Sequence, residues 1–305
     1  MIISIKDAWS DKVVEYHRDY VLGIINKASK VDGSWGAKYV AEFVARNEVA
    51  MSVGGVPDIK NAIDDFQNVV EGRSEKVIDN INKTISRIMS YSSFCDKGRL
   101  GWNAYLLCKD FKYVMCPYCQ QSLAITVFRG KSGAYRPTLD HFYPKHKFPF
   151  LALSLYNLIP SCQSCNSSLK AAQDFSENEH LHPYESEESI SFEIDVGQYV
   201  RSRAEGEKKW ELRVVCDADG PAGNSVNTFA VRERYEMVRS FVDRFAASSY
   251  IRFSVNKEKY RELFSEEHIQ DHLDEFMGFS PGRYRDEFMG KMKLDLYELI
   301  KGYRP

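Results

Sequence analysis

After Ser10, apolar residues recur at Val13, Val14, Val21, Ile24 and Ile25, the steps of three and four that place side chains on one helix face. A turn at Asp32-Gly33-Ser34 precedes a second helical stretch through Val40, Phe43 and Val44. Pro57-Asp58 opens a third, carrying Ile59, Ile63, Phe66, Val69 and Val70 and closed by Gly72, and Ser74 caps a fourth with Val77, Ile78, Ile81, Ile85, Ile88 and Met89. Residues from about 8 to 110 therefore read as helical. From about 112 the pattern changes to short apolar runs punctuated by Gly, Pro and Ser. Beyond Tyr184, Ile190, Phe192, Ile194 and Val196 alternate, as do Trp210, Leu212, Val214 and Cys216, which predicts a hairpin of two half-buried strands. Asp217 to Pro221 is a turn, Tyr235, Val238, Phe241, Val242 and Phe245 recur at helical spacing, and the last sixty residues are expected to be helices closing the fold. The prediction is an α+β protein with a helical domain over 1–110, a central core over 111–184 and a hairpin-plus-helices region over 185–305.

At 305 residues, with 44% hydrophobic and 28% charged, the chain can bury one large core or two modest ones, which excludes disordered and fibrous classes. No run of about 18 apolar residues is present to span a bilayer, and the opening Met1-Ile-Ile-Ser-Ile-Lys-Asp has only an apolar stub before charge arrives, so we expect a cytoplasmic protein without a membrane partner. The net charge of −2 hides an uneven distribution. Between Lys109 and Lys170 stand Lys109, Lys112, Arg129, Lys131, Arg136, Lys145, Lys147 and Lys170 against only Asp110 and Asp140, a local charge of +6 that leaves −8 elsewhere.

Of seven cysteines, Cys95, Cys108 and Cys216 stand alone and four form the pairs Cys116-Pro-Tyr-Cys119 and Cys162-Gln-Ser-Cys165. An odd count without a secretion signal suits reduced thiols and a metal better than disulfides. Four thiolates close a tetrahedral Zn²⁺ site at about 2.3 Å per bond and leave no open position for water, so the expected role is structural. Such a site would pin two distant segments and project the 42 residues between them as a loop of fixed geometry. That loop contains Thr138-Leu-Asp140-His141-Phe-Tyr-Pro144-Lys145, which reads as a strand end stopped by Pro144. It also contains Leu155-Tyr156-Asn157-Leu158-Ile159-Pro160, running into Cys162-Gln-Ser-Cys165-Asn166-Ser-Ser-Leu-Lys170. Ser161 is placed to cap a helix that starts at the second cysteine pair, with Asn166 in its first turns.

Together these parts over about 114–172 resemble the HNH endonuclease family of the ββα-metal group in its cysteine-clamped form, with Asn166 where the third letter is classically His. The resemblance implies phosphodiester hydrolysis of nucleic acid, DNA before RNA, with His141 as general base. It implies that Asp140 and Asn166 hold one Mg²⁺ or Mn²⁺ and that Asn157 ties the loop between the strands. Arg136, Lys145, Lys147 and Lys170 are the expected phosphate contacts. His146 is expected at the surface, and His180 and His182 in a structural His-Pro turn rather than a second metal pair. Similar proteins with unrelated flanking regions act in anti-phage defence, beside an ATPase partner in Septu-like systems, which adds a defence role and such a partner to the expectations.

Two other readings keep part of this pattern. A non-catalytic zinc module presenting a basic surface accounts for the cysteines but leaves Asp140, His141 and Asn166 without a purpose. A ribonuclease, acting for example on tRNA, would use the same residues, because a site that grips one phosphate and its flanking backbone does not by itself choose the nucleic acid.

Overall fold

The computed structural model describes residues 1–98, 100–130, 132–207, 209–254 and 277–303. The chain divides into two compact units, one of Ile5–Val114 with Leu123–Ser186, the other of Met1–Ser4, Met115–Ser122 and Glu187–Pro305.

The first unit opens with four helices, α1 (Asp11–Ser29), α2 (Lys38–Ser52), α3 (Val56–Val70) and α4 (Glu75–Ile88), followed by short α5 (Tyr91–Phe94) and α6 (Ala104–Lys109). The Ser10 hydroxyl accepts from the Val13 N–H at the start of α1, satisfying one of the amides that has no carbonyl partner inside the helix. Val13, His17, Val21 and Ile25 form its buried stripe. Ser74 precedes α4 without making a side-chain cap bond. Phe43 of α2 and Phe66 of α3 close a ring cluster with Phe150, at centroid separations of 4.9 to 5.4 Å. The helices thereby grip the segment that joins the two strands of the site. The Ser154 hydroxyl donates to Ala50 O at 2.6 Å and the His17 ring meets Leu153 O at 2.6 Å, fixing the same segment at two further points.

After an antiparallel pair β1 (Val127–Arg129) and β2 (Ser132–Tyr135), the site is built on β3 (Thr138–His141) and β4 (Leu158–Ser161). These pair antiparallel, Asp140 opposite Ile159 and His141 opposite Leu158. The chain then makes a π-helical turn, Ser164–Lys170, ended by Ala171 at φ +47°. Here the structure corrects the expected cap. Ser161 is the last residue of β4, its carbonyl accepting from the Thr138 hydroxyl at 2.8 Å, so strand pairing has taken the backbone that a helix cap would use. The turn begins at Ser164 with no side-chain cap, and Asn166 lies inside it.

The second unit holds β5 (Ser191–Glu193), α7 (Val196–Ala204), β6 (Arg213–Val215), α8 (Pro221–Thr228), α9 (Val231–Met237), α10 (Arg239–Ser254) and α11 (Gly290–Gly302). β5 and β6 pair antiparallel with Phe192 opposite Val214, but they are shorter than the alternation suggests and a helix intervenes. Asp195 is the reason. Its carboxylate accepts from the Gln198 N–H at 2.8 Å and starts α7, so Val196 belongs to a helix face rather than to a strand. The helical spacing from Tyr235 to Phe245 is real but broken at Val238, between α9 and α10. Part of the expected terminal helices, residues 255–276, lies outside the described residues.

Candidate active site and metal centre

Two structural features present the first cysteine pair. Gln120 follows Cys119 at φ +50°, in the left-handed region, and is fully buried. Its Nε2 donates to Tyr284 O at 2.6 Å, its Oε1 accepts from Lys291 N at 2.7 Å, and its carbonyl accepts from Met289 N at 2.8 Å. Tyr118 stacks on Phe229 at 4.3 Å, and the Tyr235 hydroxyl donates to Cys119 O at 3.2 Å. Nothing in the local sequence around Gln120 signals this role, because its partners stand far along the chain.

The four sulfurs of Cys116, Cys119, Cys162 and Cys165 lie within 4.8 Å of one another, and all four residues are buried. None is in a disulfide. The donor set fits zinc, since four bonds of about 2.3 Å in a tetrahedron set the sulfurs about 3.8 Å apart. Backbone N–H groups of Gln121 and Cys165 point at the sulfurs of Cys119 and Cys162, at 3.4 and 3.5 Å, and favour the thiolate form that a metal needs.

The second cluster lines one cleft of about 390 Å³, bounded by Asp140, His141, Asn166, Arg136, Lys145 and Lys170 among others. His141 ends β3, and its Nε2 lies 3.0 Å from Ala152 O. A carbonyl only accepts, so Nε2 carries the proton and Nδ1 is the ring's free acceptor. Burial, then the positive charges of Lys145 and Lys170, push this imidazole down to about 3, against the pull of the Ala152 bond. The ring is therefore neutral at neutral pH. Tyr91, on α5, packs edge-on against it at 4.5 Å, its hydroxyl donating to Leu139 O at 3.3 Å. Sequence reading missed Tyr91, which sits fifty residues upstream in a helical region.

Asn157 is fully buried. Its Oδ1 accepts from Tyr143 N at 2.8 Å, and its Nδ2 donates to Tyr143 O at 3.0 Å and Leu151 O at 3.1 Å. One amide thus clasps both ends of the 143–151 segment, and the next residue, Ala152, supplies the carbonyl that orients His141.

The four basic residues singled out in the sequence have different surroundings. Arg136 lines the cleft, donating to Pro137 O at 2.8 Å and to Cys95 Sγ at 3.0 Å. Lys145 lines it too, its ammonium 4.8 Å from the Tyr91 ring centroid. The Lys147 ammonium is instead held by Asp174 and Glu177 at 2.7 and 2.8 Å. Lys170 is only 2% exposed and meets both oxygens of Asp140, at 2.8 and 2.9 Å, with the carbonyls of His141 and Phe142 as further acceptors. His146 lines the cleft. His180 stacks on Phe175 at 3.7 Å and His182 lies 4.1 Å from Phe142, and neither lines the cleft.

Residues 116–171 match the model of the HNH endonuclease family. The chain thus carries an HNH endonuclease domain, the signature of a nuclease with a nucleic-acid substrate, and within it a four-cysteine cluster suited to zinc. No curated protein and no solved structure matches the chain. No helix among the described residues is long and apolar enough to cross a membrane.

Proposed function

We propose that the protein is an endonuclease that hydrolyses phosphodiester bonds in the 136–173 cleft, with His141 as general base. The observation that carries this reading is the cleft itself, where Asp140, His141 and Asn166 meet beside Arg136 and Lys145. His141 accepts a proton from water on Nδ1, the position left free by the Nε2 bond to Ala152. Burial leaves the ring unprotonated at neutral pH, so its Nδ1 lone pair is available to take the proton. Asp140 and Asn166 offer hard oxygen donors on rigid elements, a donor set that fits Mg²⁺ or Mn²⁺. Such an ion, when bound, neutralises charge on the phosphate and the leaving oxygen. Arg136 and Lys145 draw the phosphate into the cleft. Asn157, Lys170 and Lys147 are given no contact with the phosphate in this reading, since Asn157 binds main-chain atoms and the two lysines are held by carboxylates. Asn157 is a positioning residue, because its three bonds set where Ala152 O holds the imidazole. The four cysteines hold zinc as a structural ion.

DNA is the favoured substrate in this reading, and the resemblance extends it to an anti-phage effector in the cytoplasm beside an ATPase partner. The test is digestion by the purified full chain of supercoiled plasmid, single-stranded DNA and tRNA, with Mg²⁺, with Mn²⁺ and with chelator. Metal-dependent nicking of plasmid is expected. Cleavage of tRNA alone would move the substrate to RNA, and no cleavage of any of the three would overturn the reading.

A further inference from the structure

The Lys170 ammonium lies against the Asp140 carboxylate, and its placement is unlike that of a surface lysine. Three ammonium protons face four oxygens, two from the Asp140 carboxylate and two from the carbonyls of His141 and Phe142. The Phe175 ring closes one side at 4.7 Å. Asp140 itself is 3% exposed, so this pair is formed out of water, where a charge is tolerated only with its partner. Four oxygens gathered round one ammonium form the shell of a charged lysine.

The consequence lies in the charge of the cleft. Among the described residues Asp140 is its only acidic lining residue, and Lys170 cancels it inside the fold. Asn166 carries no charge, and Lys145 and Arg136 add two positive charges to the same walls. A divalent cation approaching the empty cleft therefore meets a wall with no net negative charge. Bound nucleic acid counters this, because each phosphodiester brings one negative charge, two neighbouring linkages offset Lys145 and Arg136, and their oxygens add donors beside Asp140.

We infer that Lys170 is a positioning residue that acts as the internal counter-ion of Asp140, and so makes loading of the hard divalent ion conditional on a bound nucleic-acid phosphate. This rests on the assignment of Asp140 and Asn166 as ligands of that ion. It confines the ion to the complex with nucleic acid. By linkage, the ion and the nucleic acid strengthen each other's binding by the same factor.

The experiment is a Mn²⁺ titration followed by electron paramagnetic resonance, on the full zinc-loaded chain carrying His141→Ala, so that nothing is cleaved. It is run alone, with a short DNA duplex, and with the same duplex made with uncharged methylphosphonate linkages, each corrected for Mn²⁺ bound by the oligonucleotide. Affinity at least tenfold tighter with the phosphodiester duplex, and no gain with the uncharged one, is expected. Fluorescence anisotropy of the labelled duplex should show the reciprocal tenfold gain on adding Mn²⁺. In the same background Lys170→Met should raise Mn²⁺ affinity of the free chain at least tenfold, and Lys170→Arg should not. Should Lys170→Met fail to fold, the duplex comparison alone decides. Equal Mn²⁺ affinity with and without the duplex would overturn the role of Lys170 while leaving the ion site in place. No Mn²⁺ binding in either state would overturn the ion site itself, and the inference with it.

Discussion

Replacing Asn157 separates positioning from chemistry. Its amide makes three bonds in a fully buried setting, one accepted from Tyr143 N and two donated to Tyr143 O and Leu151 O. Asn157→Ala leaves the Tyr143 N–H without a partner, at about 1–3 kcal/mol, and removes one bond from each carbonyl, for a total of about 3–5 kcal/mol. Against a total stability of about 5–15 kcal/mol, the variant still folds in the cold. Asn157→Asp keeps the bond from Tyr143 N but turns an oxygen toward two carbonyls that stand 3.0 and 3.1 Å from the native nitrogen. A buried carboxylate facing two acceptors is worse than a small void, so Asp should cost about 1–2 kcal/mol more than Ala at pH 7.5. At pH 5 the gap should narrow, because a protonated carboxyl donates one bond. Urea unfolding followed by circular dichroism at both pH values reads the stability, and plasmid nicking on the folded variants reads the site. Nicking should fall at least tenfold in both, with zinc content unchanged. An Asp variant as stable as the wild type at pH 7.5, or an Ala variant within about 1 kcal/mol of it, would refute the clasp.

Three further outcomes follow. Serine at Cys162 should abolish zinc binding, read by mass spectrometry of bound metal as a fall from one ion per chain to none, with a large drop in the thermal midpoint. The His17 imidazole is held neutral between Leu153 O and the Trp102 indole N–H, and burial pushes it down to about 4. The unfolded chain takes up a proton near pH 6.5 that the native ring refuses, so stability is intact above that pH and is lost between about 6.5 and 4, at about 1.4 kcal/mol per pH unit for this group. His17→Gln keeps a donor and an acceptor and should flatten the urea-midpoint profile between pH 6.5 and 5; an unchanged slope would remove His17 as its source. Tyr91→Phe loses the hydroxyl, with its bond to Leu139 O and its contact with the Cys95 sulfur, but keeps the ring, and should cost about 1 kcal/mol with near-native nicking. Tyr91→Ala removes the ring against His141 and should lower kcat with little change in KM.

Local pattern carried much of this fold. Steps of three and four marked α1 to α4 because each helix buries one stripe, and the paired cysteines marked the sulfur cluster because the spacing is itself the ligand geometry. Other features depend on partners far along the chain. Alternation from Ile190 to Val196 concealed Asp195, whose capping bond converts the end of that run to helix. Ser161 has the chemistry of a cap, but pairing with Thr138 takes it into β4. Lys170, in a polar run, reads as a phosphate contact, and only the approach of β3 buries it on Asp140. Gln120 and Tyr91 carried no signal, since their partners stand at Tyr284 and Lys291 in one case and at His141 in the other.

The most direct measurement compares plasmid nicking by the wild type and by His141→Ala in Mn²⁺, at equal zinc content and equal thermal midpoint. Loss of nicking by at least a hundredfold in the variant, with duplex binding retained, is the predicted result. Nicking by His141→Ala at the wild-type rate would show that the proton is taken by another group and that the cleft around Asp140 is not where the bond is broken.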